Sequence, residues 1–166
     1  MYNIGDYVVY STAGICKISD IKTEEFYGDN KTYYIIENVY GNKSVVHVPK
    51  DNELIMSKIR DLHTKKDIDG FLEKAAKTAV SWISEYKLRN ETHTATLKSN
   101  DFFEIAKVLK LSYINEKECI SMNKKISMTD KKVTDTAEKL IFEEYATVFD
   151  VPYDNVKEEI VKKLNV

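Results

Sequence analysis

The sequence predicts an α+β fold in which a small antiparallel β-barrel of the Tudor or SH3 type is followed by an all-α domain. Four of the five glycines fall within the first 41 residues, between short runs of aromatic and β-branched residues, as tight turns between strands require. From residue 67 onward the apolar residues recur at helical spacing instead. We therefore predict two domains, residues 1–62 and residues 67–166.

Short strands separated by turns are predicted throughout the first domain. Turns at residues 27–31 and 41–42 carry glycine and asparagine. Pro49 ends a strand because it has no N–H for the hydrogen-bond ladder. The predicted strands are residues 7–10, 15–21, 32–39, 44–48 and 54–56. Turns about every ten residues are typical of a small barrel.

Helices are predicted for the whole second domain. Ile68 and its i+3, i+4 and i+7 neighbours are apolar and form one face of a first helix. Residues 81–96 form a second helix. Asp101 and Ser127 are typical N-cap residues and begin the third and fourth helices. Pro152 suits the first turn of a last helix.

Composition excludes several classes of protein. A hydrophobic content of 43% and a charged content of 31% are those of an ordinary globular protein. The chain has no run of about 18 apolar residues, so we expect no membrane-spanning helix. Residues 1–6 have neither the basic nor the apolar region of a signal peptide, so we expect a cytoplasmic location. Cys16 and Cys119 are far apart, which favours free thiols.

Catalytic and metal-binding patterns are absent from the sequence. His47, His63 and His93 are scattered, and none lies four residues from another. The GxSxG, P-loop and GxGxxG motifs are missing. The sequence therefore predicts neither an enzyme nor a bound cofactor.

Trp82 is the single tryptophan, and its environment allows two interpretations. A lone tryptophan in an amphipathic helix usually belongs to the core. Ser81 and Ser84 beside it favour a partly exposed ring instead. Basic side chains follow Trp82 and surround the Ser127 cap, where they either are solvated or hold phosphates flanking an inserted ring. These side chains are Lys87, Arg89, Lys124, Lys125, Lys131 and Lys132.

Several motifs together resemble the CarD/CdnL family of bacterial transcription regulators, whose first domain is shared with the transcription-repair coupling factor. Each fragment alone is weak, but their order and spacing cover nearly the whole chain. They are Ile4-Gly-Asp-Tyr-Val-Val-Tyr10 with Gly14-Ile15, Tyr33-Tyr-Ile-Ile36, Val45-Val-His-Val-Pro49, Ile59-Arg60, Trp82-x3-Tyr86, Phe103-Glu-Ile-Ala-x2-Leu109 and Ser127-x3-Lys131 with Ala137-x2-Leu140.

The resemblance implies a role for each domain. The first is expected to dock on the lobe of the RNA polymerase β subunit, and the second to reach promoter DNA at the upstream edge of the transcription bubble. Trp82 matches the tryptophan that enters the minor groove there, with the six basic residues named above as further DNA contacts. The residues matching the polymerase-facing strands are Glu24, Phe26, Ile35, Val45, His47 and Pro49.

One departure from the family pattern and the net charge of the chain bear on these expectations. Ser84 and Glu85 stand where members often have arginines, so we expect weaker contact with the DNA backbone. The net charge of −2 also argues against strong DNA binding by this chain alone. An adaptor on RNA polymerase without direct DNA contact is the alternative function. We expect a monomer, with a domain-swapped dimer as the alternative.

Overall fold

The computed structural model of this chain describes residues 1–26 and 28–166, and of Thr12 and Phe26 it describes the backbone alone. Contacts between residues divide the chain into two compact units, Met1–Leu62 and His63–Val166. The first unit is built mainly from β-strands and the second from α-helices. This arrangement confirms the predicted fold class, an antiparallel β domain followed by an all-α domain.

The strands of the β unit, over its described residues, pair in one antiparallel sheet with the spatial order β4-β3-β2-β1-β5. A 3₁₀ turn, Ser11–Ala13, joins the first two strands, and a one-turn helix, α1 (Glu53–Met56), precedes the last. The strands are β1 (Tyr7–Tyr10), β2 (Gly14–Phe26), β3 (Asp29–Asn38), β4 (Val45–Pro49) and β5 (Ile59–Arg60).

One face of the sheet carries the core of the β unit. Paired residues of antiparallel strands point to the same face. Ile18 pairs with Ile36, and Tyr34 pairs with Val48, so these four side chains lie together. The buried cluster on this face contains Val8, Cys16, Ile18, Tyr34, Ile36, Val48 and Ile59. Residues in the alternate positions of β3 and β4 point to the opposite face, which is called the outer face below.

The predicted strand at residues 54–56 is wrong. The Asn52 side chain accepts a hydrogen bond from the backbone N–H of Ile55 at 3.2 Å and caps helix α1 there. The strand next to β1 is β5, in which Arg60 pairs with Val9. The predicted turn at residues 27–31 is also shorter, because β3 already begins at Asp29; Tyr27 lies outside the described residues.

Three helices of the second unit begin after residues whose side chains cap them. Thr64 accepts from the backbone N–H of Asp67, Asp101 from that of Glu104, and Ser127 from that of Asp130. The caps predicted at Asp101 and Ser127 are therefore confirmed. The helices are α2 (Lys65–Lys77), α3 (Tyr86–Lys98), α4 (Phe102–Ser121), α5 (Met128–Phe149) and α6 (Tyr153–Leu164).

The predicted helix over residues 81–96 begins later than expected, at Tyr86. The Glu85 carboxylate accepts hydrogen bonds from the backbone N–H groups of Lys87 and Leu88, at 2.9 and 2.6 Å. It caps α3 at that point, which leaves Trp82 outside the helix.

Apolar stripes of the helices form the core of the second unit. Each stripe follows the helical period, and α4 and α5 contribute long buried faces. The fully buried side chains include Ile68, Leu72, Phe102, Leu109, Ile141, Tyr145, Ile160 and Leu164. None of the helices in the described part of the chain has the length and apolar character needed to cross a membrane.

Candidate functional site

Trp82 lies between α2 and α3, in residues 78–85, which we call the Trp82 segment. Its ring is half-buried. The Arg89 guanidinium stands 4.6 Å from the centre of the ring, and the His93 ring meets it edge-on at 6.3 Å. Arg89 and His93 are four residues apart on α3 and so lie on the same helix face. Trp82 therefore packs by one side against α3 while part of its ring stays exposed.

Arg89 holds this arrangement together. It is 7% exposed. Its Nε and Nη2 donate to the two carboxylate oxygens of Asp130 on α5, at 2.9 and 3.2 Å. Its Nη1 donates to the backbone carbonyls of Ile83 and Ser84, at 2.7 and 3.3 Å. The planar guanidinium suits this use, because it presents a fork of donors to a carboxylate while its face stacks on a ring.

Electrostatics fix the charge states around Trp82. Burial alone would raise the pKa of Asp130, but hydrogen bonds from Arg89 and Ser127 and the charge of Arg89 outweigh it and hold that pKa below its usual range. Burial lowers the pKa of His93, although Asp130 opposes this shift. At neutral pH Asp130 is therefore charged and His93 is neutral.

A narrow cleft opens beside Trp82 between α3, α4 and α5. Its volume is about 30 Å³, enough to hold water. It is lined by Trp82, His93, Ser112, Asn115, Glu116, Ile126, Asp130, Lys131, Val133 and Thr134. The cleft is too small for an organic ligand. Among the described residues, no group of three or more His, Cys, Asp or Glu side chains is placed to hold a metal ion.

Exposed lysines lie near this cleft. Lys131 lines it together with Trp82. Lys124 and Lys125 occupy the turn just before Ile126, another lining residue. Lys132 and Lys87 are also exposed. The Tyr86 hydroxyl lies 2.7 Å from that of Thr129, which brings the starts of α3 and α5 together.

Two of these lysines have acidic neighbours on their own helices. Lys131 is 3.1 Å from the Asp135 carboxylate and Lys87 is 4.0 Å from that of Glu91. Pairs as exposed as these contribute little to stability. Arg89 differs from the other predicted DNA contacts, because it is buried and its guanidinium is engaged by Asp130. We therefore assign it to positioning Trp82.

Exposed apolar side chains in the first turns of α3 and α5 were not predicted as site residues. Tyr86 is 53%, Leu88 is 52% and Met128 is 80% exposed. The helix predicted over residues 81–96 gave no sign that Tyr86 and Leu88 are exposed, because α3 in fact begins at Tyr86. The partnership of Asp130 with Arg89 was also missed, since in the sequence Asp130 belongs to the Ser127 cap. We use the name Trp82 surface for Trp82, these three apolar residues and the exposed lysines Lys87, Lys124, Lys125, Lys131 and Lys132.

The residues matching the polymerase-facing strands meet on the outer face of the sheet. Ile35 pairs with His47, and Pro49 and Val45 lie two residues either side of His47 on β4. Glu24 lies on the same face. Asp20 pairs with Ile35, and Glu24 is four residues further along β2, so the two side chains point the same way. Val45 and His47 are exposed, whereas Ile35 is only 6% exposed. The side chain of Phe26 lies outside the described part of the chain.

A pH titration tests the environment of His93. Because its pKa in the folded state is lowered, the unfolded state binds the proton more readily. We expect the free energy of unfolding to fall as the pH drops below about 6.5, the ordinary pKa of histidine. His93→Gln should flatten this decline relative to the wild type. Urea denaturation between pH 7.5 and pH 5 measures both proteins; a decline in His93→Gln as steep as in the wild type would contradict the assignment.

Comparisons with known proteins match both units. Residues 2–60 match the model of the CarD-like/TRCF RID domain. Residues 72–161 match the model of the CarD C-terminal domain. The chain is also similar to a Bacillus subtilis (strain 168) protein named "Putative transcription factor YdeB", with 25% identity over 161 residues, 95% of this chain and 98% of that protein. The chain belongs to the CarD-like family of transcription regulators.

Proposed function

We propose that this protein docks on the lobe of the RNA polymerase β subunit through the outer face of its sheet and stabilises the open promoter complex through Trp82. The observation that carries the proposal is the half-buried Trp82, held against Arg89, with exposed Lys131 lining the cleft beside it. A surface that combines an aromatic ring with cations suits DNA whose bases are already separating.

The ring supplies an apolar surface for the DNA fork. Side chains that enter the minor groove push between base steps and pay the cost of unstacking them. At the upstream edge of a bubble that cost is small, because the stack is already broken there. A ring placed at this point opposes reannealing. A preference of about 1.4 kcal/mol for the open state would raise the ratio of open to closed complexes tenfold.

Lysines around Trp82 supply contacts with the phosphates. Such contacts orient a protein on DNA but do not read its sequence. Lys124, Lys125 and Lys132 are exposed, and Lys131 lies at the cleft beside the ring. This pattern fits binding to the shape of the fork at many promoters.

Docking on polymerase compensates for the small, negative net charge of the chain. With a net charge of −2, this protein gains little from releasing counterions on DNA. A partner that already holds the promoter raises the local concentration of the Trp82 surface, so a weak contact suffices. The outer face of the sheet offers exposed Val45 and His47 for that partner.

An adaptor on polymerase that touches no DNA is the second candidate. The exposure of Tyr86, Leu88 and Met128 favours it, since apolar side chains of this kind are enriched in protein interfaces. In that case the Trp82 surface would bind another protein of the transcription machinery.

Replacement of Trp82 tests the role proposed for its ring. We expect Trp82→Ala to shorten the half-life of the open complex about tenfold at saturating protein, because one aromatic contact with a base contributes roughly 1–3 kcal/mol. Trp82→Phe should retain part of the effect, since it keeps a ring. Competitor-challenge decay of preformed complexes measures the half-life. A Trp82→Ala protein that binds polymerase and stabilises the complex as well as the wild type would exclude the role proposed for the ring.

A charge on the outer face tests the docking surface. Val45→Glu should weaken binding to the isolated β lobe by about tenfold or more, because a buried unpaired carboxylate costs at least ~1.4 kcal/mol. Ile4→Glu is the matched control, since Ile4 is 61% exposed and precedes the sheet. Calorimetric titration of the lobe measures both variants. Equal affinities for Val45→Glu and the wild type would place docking elsewhere.

A further inference from the structure

Lys110 on α4 is not one of the proposed DNA contacts. It is unusual for a lysine in being buried, with only 9% of its surface exposed. Its ammonium group donates to the backbone carbonyls of Ala75, Ala76 and Thr78, at 3.2, 2.7 and 2.9 Å. These three carbonyls stand at the end of α2 and the start of the Trp82 segment. An ammonium group has three donors, so its hydrogen-bonding capacity is filled here.

The end of a helix gives such a cation a favourable site. The last carbonyls of a helix have no partners within it, and the helix dipole places partial negative charge there. The interaction offsets the cost of removing an ammonium group from water. An apolar side chain at this position would have no desolvation cost, but the Thr78 carbonyl would lose its hydrogen bond from Lys110. Lys110 thus fixes the point at which the chain leaves α2 for Trp82.

Arg89 acts on the other side of Trp82. It donates to the carbonyls of Ile83 and Ser84, the two residues that follow the ring. The Arg89 side chain is itself held by Asp130. Cations on α4 and α3 therefore bind the backbone of the Trp82 segment before and after the ring.

We propose that Lys110 and Arg89 are positioning residues that hold the Trp82 segment in its binding conformation in the free protein. Both belong to the helical unit, so the order they impose needs no partner. A ligand that finds only a fraction of the protein in the competent conformation binds more weakly by that fraction. If loss of Lys110 reduced the competent fraction to about one tenth, the effect of Trp82 would fall about tenfold. This consequence for promoter complexes rests on the proposed function, whereas the order of the segment does not.

The single tryptophan makes the order of the segment directly measurable. Time-resolved fluorescence anisotropy of the free protein, excited at the red edge of the tryptophan band where the 11 tyrosines do not absorb, reports only on Trp82. We expect the wild-type ring to rotate with the protein, with little fast local motion. Lys110→Met and Arg89→Met should add a fast component. Lys107→Met is the matched control for charge and helix, since Lys107 also lies on α4 but contacts Glu104 and the ring of Phe103, and it should behave as the wild type.

Two results would overturn the inference. One is large fast motion of Trp82 in the wild type, which needs no folded variant to observe. The other is a folded Lys110→Met protein whose Trp82 decay matches that of Lys107→Met. Open-complex half-lives measured with the same proteins separate this inference from the proposed function. If Lys110→Met loosens the ring while neither it nor Trp82→Ala alters the half-life, the positioning stands and the proposed function fails.

Discussion

The bidentate ion pair between Arg89 and Asp130 is the interaction on which the Trp82 surface depends. It joins α3 to the start of α5, and the same guanidinium stacks on Trp82 and bonds the backbone after it. Because both side chains are largely removed from water, loss of one partner would leave a poorly solvated charge, at a cost of about 3–5 kcal/mol in fully buried pairs. Through this pair, one planar cation contacts the Trp82 ring, the Trp82 segment and the start of α5 at once, which fixes their relative positions.

Under the proposed function, positioning by cations would let a chain with a net charge of only −2 present an aromatic side chain to DNA. The Trp82 segment joins two helices and has no regular structure of its own. Lys110 and Arg89 supply bonds to its carbonyls from neighbouring helices. The remaining exposed lysines stay available for phosphates. Under the proposed function, the buried cations order the ring and the surface cations contact DNA, so the basic residues of the helical unit would serve two separate purposes.

Local rules predicted much of the fold, and tertiary contacts decided the rest. Alternation along the strands placed Val45 and His47 outward, and the caps at Asp101 and Ser127 follow from side chains that bond their own backbone. The start of α3 could not be found from apolar spacing, because the Glu85 carboxylate caps it. The burial of Arg89 depends on Asp130, 41 residues further along the chain. The sequence around Arg89 does not indicate this partner, so from the sequence Arg89 looked like a surface cation.

Photocrosslinking from position 82 tests the central claim, that this side chain meets promoter DNA, most directly. A p-benzoylphenylalanine replacing Trp82 would be irradiated in complexes of polymerase with end-labelled promoter DNA, with Leu54, 81% exposed in the β unit, as the control position. We expect position 82 to give an adduct with DNA at the upstream edge of the bubble, and position 54 to give none. Adducts from position 82 confined to protein subunits would contradict the claim and favour the adaptor.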